Sequence, residues 1–268
     1  MQKFGLFALI LLILAPPLFA AEPDQPSGRD IMLKMEAADN FQDRALTGTM
    51  TVERGREKLV RRMEMFSKKY GEKKENGVPG DERSLIRFLD PADARGTMYL
   101  TWSWDDPDRE DDMWTYMPAE SLVRRISGSG KKGAFMRSDL ANEDIQKRSV
   151  DADTHTLLKS ESLGGADCWV VESVPRPELE EDTNYSKRVI FVRKDINLAG
   201  RVEYYDKRGR LLKTATNGGF QQIDGVWTIT KSLYETPDRG TRTVLERENI
   251  LYNQGMDDGI FQQSNLKR

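Results

Sequence analysis

The residues that could do chemistry in this chain are few and scattered. His155 is the only histidine and Cys168 the only cysteine, so no Cys/His cluster is available to hold zinc. No glycine-rich loop precedes a helix to cradle a nucleotide, and no serine has the surroundings of a nucleophile elbow. Carboxylate pairs occur throughout so charged a chain, which leaves glycosidase chemistry open but unsupported. We predict that the protein is not an enzyme and uses no cofactor.

The densest set of charges is an acidic cluster between two predicted strands. Its members are Asp105, Asp106, Asp108, Glu110, Asp111 and Asp112. Weak calcium binding is one interpretation, but the spacing and the glycine of an EF-hand loop are missing. We therefore interpret the cluster as a solvated turn and expect no metal site.

The first residues of the chain predict export. Residues 1–21 carry one charge and then an apolar run that a pair of prolines ends, and small residues precede a cleavage site near Ala20–Glu22. This order is typical of a signal peptide, and the run is shorter than the roughly 20 residues of a membrane-spanning helix. Residues 22–268 are predicted to form one domain. The net charge of −3 argues against a nucleic-acid partner.

The remaining sequence predicts an antiparallel sheet. A short helix begins after Ser27, which forms a capping-box pattern with Asp30. About a dozen apolar or alternating runs follow, separated by turns such as Asp224-Gly225, and they include predicted strands at residues 187–193, 210–215 and 241–252. Consecutive strands joined by hairpins pair antiparallel, which excludes a βαβ architecture. The polar stretch 73–82 is predicted to be a loop.

The segment 96–104 alternates most clearly and carries the candidate binding surface. The chain holds eleven Met and five Trp, and methionine adapts to irregular partners. Large apolar residues at period two either pack a core or line an apolar groove, and alternation alone does not choose between these. The candidate groove residues are Met63, Met65, Met98, Leu100, Trp102, Trp104, Trp114 and Tyr116.

Three arginines are candidates for a latch or a head-group contact: Arg95, Arg124 and Arg125. Arg124 and Arg125 are neighbours on one predicted strand, so at most one of them faces the groove. A groove-side guanidinium can hold a carbonyl or carboxylate that closes the groove, or a lipid phosphate. The alternative for each is an exposed arginine on a solvated face.

The segment Phe88–Asp144 resembles the outer-membrane lipoprotein-sorting family, which comprises LolA-like periplasmic lipid and lipoprotein carriers. In the last of the matching elements, Arg137 and Leu140 stand at positions where the family usually has glycine and phenylalanine. The matching elements are Asp90-Pro91, Arg95-Gly96-Thr97, Trp114 to Ala119, Val123 to Ile126, and Phe135 with Ser138-Asp139 and Glu143-Asp144.

The resemblance implies a mainly β, incomplete antiparallel barrel, a LolA-like half-barrel with a few short helices on its concave side. It implies a periplasmic carrier that binds lipid or lipoprotein acyl chains and moves them toward the outer membrane. An inner-membrane exporter of the resistance-nodulation-division type is the implied donor. The alternative is an RseB-like envelope sensor that binds lipoprotein acyl chains and a membrane-protein partner. Such regulators carry a second, smaller domain, for which this sequence shows no boundary.

Replacing Leu100 or Trp102 by Asp is expected to weaken reversible binding of a fluorescent fatty-acyl probe, because a buried carboxylate without a partner is costly. Replacing His155 is expected to leave binding nearly unchanged. Titration of tryptophan fluorescence with lysophospholipid measures both effects. Any activity that depends on His155 would contradict the prediction that the protein is not an enzyme.

Overall fold

Thirteen antiparallel strands form one continuous sheet in the computed structural model, which describes residues 25–267. The predicted signal peptide at residues 1–21 lies outside the described residues. The strands are β1 (Asp43–Arg54), β2 (Glu57–Lys73), β3 (Pro79–Asp90), β4 (Met98–Ser103), β5 (Asp112–Met117), β6 (Leu122–Arg125), β7 (Asp153–Leu163), β8 (Ala166–Pro175), β9 (Lys187–Arg193), β10 (Ala199–Tyr205), β11 (Leu211–Ile223), β12 (Val226–Thr236) and β13 (Thr241–Tyr252).

The path of the chain explains the order of the strands. The strand β1 lies inside the sheet, and β2 to β6 follow one another outward to one edge. The chain then passes to the opposite edge, where β7 begins, and β8 to β13 return until β13 pairs with β1. The two edge strands are not paired with each other, so the sheet is open. The prediction of a mainly β, incomplete antiparallel barrel is confirmed.

The helices of the described residues are short. The helix α1 (Gly28–Ala38) begins with the predicted capping box, since the Asp30 amide donates to Ser27 Oγ and the Ser27 amide to Asp30, both at 3.1 Å. None of the helices within residues 25–267 is long and apolar enough to cross a membrane. The 3-10 helices span Pro118–Glu120, Gly128–Gly130, Phe135–Arg137, Asn142–Ile145, Val150–Ala152, Pro177–Asp182, Pro237–Arg239, Asp258–Phe261 and Gln263–Asn265.

The two faces of the sheet are covered by different segments. The crossover, residues 126–152, connects β6 to β7 and packs with α1 on one face, which we call the crossover face. The C-terminal tail, residues 253–267, packs on the opposite face of β3 and β4, which we call the tail face. Because side chains alternate along a strand, Ile86 lies on the crossover face and its neighbour Leu85 on the tail face.

The crossover is fixed by buried polar contacts as well as by apolar packing. The Asp139 carboxylate accepts hydrogen bonds from the hydroxyls of Thr236 at 2.7 Å, Thr243 at 2.6 Å and Thr241. The Phe135 ring packs beside Phe88 and other rings of the sheet, with a centroid distance of 5.9 Å to Phe88. These contacts hold the middle of the crossover on β3, β12 and β13.

The predicted loop over residues 73–82 is wrong in its extent. The strand β2 continues to Lys73 and β3 begins at Pro79, so the turn occupies only residues 74–78. Polar residues continue the paired strands of this hairpin, with Lys69 opposite Glu82 and Tyr70 opposite Asp81. Cross-strand pairing of polar side chains supports a strand that has no apolar alternation to reveal it.

Replacing Asp139 by Ala is expected to lower the free energy of unfolding by about 2–4 kcal/mol, because the buried threonine hydroxyls lose their acceptor. Urea denaturation measures the change. Asp238, which is exposed in the adjacent β12–β13 turn, gives the matched control, and its replacement by Ala is expected to stay within about 0.5 kcal/mol. Equal effects of the two replacements would show that Asp139 does not anchor the crossover.

Candidate functional site

A cavity of about 530 Å³ lies between the sheet, α1 and the crossover. We call it the central cavity, and its volume is within the range of small-molecule sites. Its walls are apolar in one part and charged in another. Apolar lining comes from Met32, Met35, Trp104, Val150, Leu179, Ile190 and Tyr204, and charged lining from Glu36, Asp111, Lys131, Glu143, Asp144, Lys147, Arg148, Asp153 and Arg188, among others.

The helix α1 forms one wall because it sits close to the sheet. A Cβ atom on Gly28 would lie 2.6 Å from the carbonyl oxygen of His155, so only glycine allows this approach at the start of the helix. Ile31 packs against Val171 and Val192 of the sheet. Met35, one turn further along, is only partly buried and faces the cavity.

A buried carboxylate ties α1 to two other segments. Glu36 is 2.8 Å from the Lys147 ammonium of the crossover and 3.0 Å from the Lys74 ammonium of the β2–β3 turn. The Asn76 amide also donates to it, at 2.6 Å. Burial raises the pKa of Glu36, but the two ammonium groups outweigh burial and hold that pKa below its usual value. The carboxylate therefore stays ionised and clamps the helix in place.

The charged wall of the cavity is a network of paired groups. The Arg148 guanidinium donates to both oxygens of Asp153, at 2.9 and 2.5 Å. Burial raises the pKa of Asp153, but Arg148 outweighs it, so the pKa is lowered. Arg188 lies 3.6 Å from Asp153 and 3.8 Å from Glu143. The buried Nη1 of Arg188 has no hydrogen-bond partner among the described residues, so Arg188 can donate to a ligand in the cavity.

Asp111 differs from the other carboxylates of the cavity. Its pKa is raised to about 6, chiefly by burial, while the amide of Trp104 donates to it at 2.9 Å. Within the described residues, no cation forms an ion pair with Asp111. The nearest cations act on its charge only from a longer distance. Burial thus moves the pKa of this carboxyl toward neutral pH.

His155 lines the cavity but is held by two structural contacts. Its Nε2 lies 2.8 Å from the Val150 carbonyl oxygen, which only accepts, so Nε2 carries the proton. Its Nδ1 lies 2.8 Å from the Ser173 hydroxyl and accepts from it. Both ring nitrogens are therefore engaged in joining β7 to β8 and to the end of the crossover.

The predicted groove residues lie on both faces of the sheet, and only Trp104 lines the central cavity. Met63 and Met65 pack on the crossover face with the Phe135 cluster. The other five pack on the tail face, beneath the C-terminal tail: Met98, Leu100, Trp102, Trp114 and Tyr116. The groove role of these residues stays a prediction.

The tail occupies the apolar surface that the sequence suggested for a ligand. Phe261 and Leu266 are almost completely buried against Leu100, and Trp102 Nε1 donates to the Phe261 carbonyl at 2.9 Å. Lys68 holds the tail through an ion pair of 2.6 Å with Asp258. Leu100 is fully buried, so an aspartate at this position would destabilise the fold whether or not a ligand binds there.

The three candidate arginines lie at the surface, and none of them lines the central cavity. Each guanidinium is more than half exposed and pairs with a nearby carboxylate. Arg95 pairs with Asp90 at 2.8 Å, Arg124 with Glu120 at 2.6 Å and Arg125 with Asp112 at 2.8 Å. Exposed pairs of this kind contribute roughly 0–1 kcal/mol. Their role as a latch also stays a prediction.

Apart from Trp104, sequence reasoning did not assign a binding role to the residues that form the central cavity. Met32 and Met35 carried a signal, since they belong to the amphipathic helix, but nothing showed that one helix edge faces a void. The acidic cluster carried another, because Asp106, Asp108, Glu110 and Asp111 of that cluster belong to the lining. Arg188 had no signal, because its partners Asp153 and Glu143 lie far from it in the sequence.

Comparisons with known proteins give the family. A family model described as an uncharacterized protein matches residues 80–268, more than half of the chain. A DUF1329 family protein from Desulfovibrio piger is 43% identical, with a TM-score of 0.84 over 89% of this chain and 97% of that chain. A comparison with curated proteins gives no match.

Two further solved structures support the predicted resemblance. A protein described as an outer membrane lipoprotein-sorting domain, from Vibrio parahaemolyticus, is 29% identical, with a TM-score of 0.82 over 90% of this chain and 98% of that chain. A LolA superfamily protein from Nitrosomonas europaea is 21% identical, with a TM-score of 0.67 over 90% of this chain and 99% of that chain. The LolA-like fold that the sequence predicted is confirmed.

Replacing Asp111 by Asn is expected to change how stability depends on pH. The folded-state pKa of about 6 lies above the ordinary value of 3.8, so the folded protein holds this proton more tightly. The resulting stability is present at low pH and is lost as pH rises toward 6. Relative to the parent protein, the variant should therefore gain about 1–3 kcal/mol between pH 4 and pH 7. Denaturant melts at both pH values measure the difference.

Asp106 provides the matched control for this experiment, because it is an exposed aspartate in the same turn. A stability difference between the Asp111 variant and the parent that stays constant from pH 4 to pH 7 would contradict a raised pKa at Asp111.

Proposed function

This chain belongs to the DUF1329 family, and on that premise we propose that it is a carrier that binds an acyl chain of a lipid or lipoprotein in the central cavity and performs no catalysis. The observation that carries this proposal is the position of the cavity, which lies beneath α1 and the crossover on one face of an open LolA-like sheet. The similarity to a lipoprotein-sorting domain supports it.

The apolar part of the central cavity suits an acyl chain. Met32 and Met35 lie on α1 and face Ile190 of β9 across the cavity. Transfer of an acyl chain from water into such surroundings gains about 0.8 kcal/mol per methylene and needs no directional contact. Methionine side chains adjust to ligands of different shape, which suits a carrier with more than one cargo.

The charged part of the cavity suits the polar end of such a ligand. Arg188 and Arg148 offer donors, while Glu143 and Asp111 offer acceptors. The first peptide groups of a lipoprotein present both donors and acceptors, and the ester groups of a lipid present acceptors, so either complements part of a wall of mixed charge. A bare hydrocarbon would leave this wall unsatisfied, so the proposed ligand is amphipathic.

The proposed place of action is the periplasm, with delivery toward the outer membrane. The sequence of residues 1–21 supports export, and the lipoprotein-sorting relative supports the compartment. An exporter of the resistance-nodulation-division type as donor remains part of the proposal and follows from resemblance only.

The tail face is the second place where an acyl chain could bind under this proposal. Its aromatic residues, Trp102 and Trp114, have ring centroids 5.0 Å apart beneath the tail. Binding there requires that Phe261 and Leu266 leave, which exposes their own apolar surface to water. The central cavity needs no such exchange, so it is the preferred site.

Replacing Met35 by Trp is expected to weaken binding of a fluorescent fatty-acyl probe at least about tenfold, or about 1.4 kcal/mol, because the larger ring fills the cavity. Lys34 is exposed on the same helix, so its replacement by Trp adds an equal side chain outside the cavity and should leave binding unchanged. Fluorescence titration measures both affinities.

Three results bear on the proposal. Equal affinity of both variants and the parent protein would exclude the central cavity. Retained binding together with loss of amide protection in residues 253–267 would place the ligand on the tail face. No saturable binding, with no lipid bound to the purified protein, would reject acyl binding and with it the carrier function.

A further inference from the structure

A second cavity, of about 540 Å³, opens at the surface on the other side of the crossover. We call it the surface cavity. It lies between the crossover, the β10–β11 turn and the β12–β13 turn. These three segments are far apart in the sequence and meet only in the folded protein. Six basic side chains line it: Lys132, Lys207, Arg208, Arg210, Lys213 and Arg239.

The carboxylates of the surface cavity are already engaged. Asp139 accepts from the threonine hydroxyls of β12 and β13. Asp206 accepts from the amides of Arg208 and Arg210, both at 2.9 Å, and from the Arg210 guanidinium at 2.8 Å. Lys213 forms a buried ion pair with Asp144. Two of the six cations, Arg210 and Lys213, are therefore neutralised within the fold.

The other four cations have no carboxylate partner within residues 25–267. The Lys132 and Lys207 ammonium groups contact only backbone carbonyl oxygens, those of Glu181 and of Glu180 and Tyr185. The Arg208 and Arg239 guanidinium groups are exposed and form no side-chain hydrogen bond or ion pair in the described part of the chain.

The neighbouring acidic segment does not cancel this charge inside the cavity. The 3-10 helix Pro177–Asp182 carries four carboxylates, but none of them belongs to the lining. Asp182 lines the central cavity instead. The surface cavity therefore concentrates positive charge, whereas the chain as a whole has a net charge of −3.

We propose that the surface cavity binds a phosphate group, held by Arg208 and Arg239 and completed by Lys132 and Lys207. A phosphate offers several acceptor oxygens and up to two negative charges, which fit two guanidinium forks and two ammonium groups better than a single carboxylate does. The proposal is independent of the acyl-carrier function, because no residue of the apolar wall of the central cavity takes part in it.

The phosphate belongs either to a phospholipid head group or to a free phosphate ion, and two probes distinguish these sources. Isothermal titration calorimetry is done with inorganic phosphate and, separately, with dihexanoyl phosphatidic acid below its micelle concentration. Backbone NMR of the parent protein with each probe maps the bound surface. The test variant is Arg208→Ala with Arg239→Ala, and the control is Arg56→Ala, an exposed arginine in the β1–β2 turn.

At least one probe is expected to bind, with shifts centred on residues 206–210 and 236–239. The double variant should lose at least about tenfold in affinity, or 1.4 kcal/mol, and the control should lose none. Binding of inorganic phosphate assigns a free phosphate site, and binding of the lipid alone assigns a head-group site. No saturable binding of either probe, shifts elsewhere, or equal affinity of the double variant would overturn the proposal. Failure of the acyl-probe experiment leaves this outcome unaffected.

Discussion

The crossover is the constraint on which the rest of the structure depends. Strands β1 to β6 build the sheet outward to one edge, and β7 begins at the other edge, so residues 126–152 must traverse one whole face. A segment with little regular structure leaves many backbone groups to satisfy and has no apolar stripe of its own. Buried polar contacts, above all those of Asp139 and Asp144, therefore fix it together with the packing of Phe135. Such contacts add little net stability. A misplaced crossover, however, would leave each of these buried polar groups without a partner, so the contacts specify one position of the crossover on the sheet.

The same segment separates two cavities of opposite character. Asp144 lines the central cavity, while its partner Lys213 lines the surface cavity, so a buried ion pair forms part of the wall between them. Carboxylates outnumber cations around the central cavity, and cations outnumber carboxylates around the surface cavity.

The sequence predicted the strands well because alternation and glycine turns are local signals. The bounds of β9 (Lys187–Arg193) and β13 (Thr241–Tyr252) agree with prediction, whereas β11 extends to Ile223, beyond its predicted end at residue 215. Alternation also identified Leu100 and Trp102 as sharing one face. It could not tell which face a ligand would use, because the cover on that face, Phe261, lies far along the chain. The cavities were beyond sequence reasoning for the same reason, since their walls come from segments that only the crossover brings together.

The mixed lining of the central cavity would affect how readily the proposed carrier releases its ligand. An entirely apolar cavity would gain free energy with every methylene and would hold a long acyl chain too tightly to pass it on. Here α1 provides part of the apolar wall through Met32 and Met35, while another part of the lining is an ion-paired network that water also satisfies well. In the proposed carrier, a bound acyl chain would therefore contact α1 on one side. That helix is tied down by Glu36, whose two ammonium partners lie in the β2–β3 turn and in the crossover. In the proposed carrier, the ion pairs of Glu36 with Lys74 and Lys147 therefore hold in place the helix that carries Met32 and Met35, so removing that carboxylate would disturb one apolar wall of the cavity without any change in the sheet.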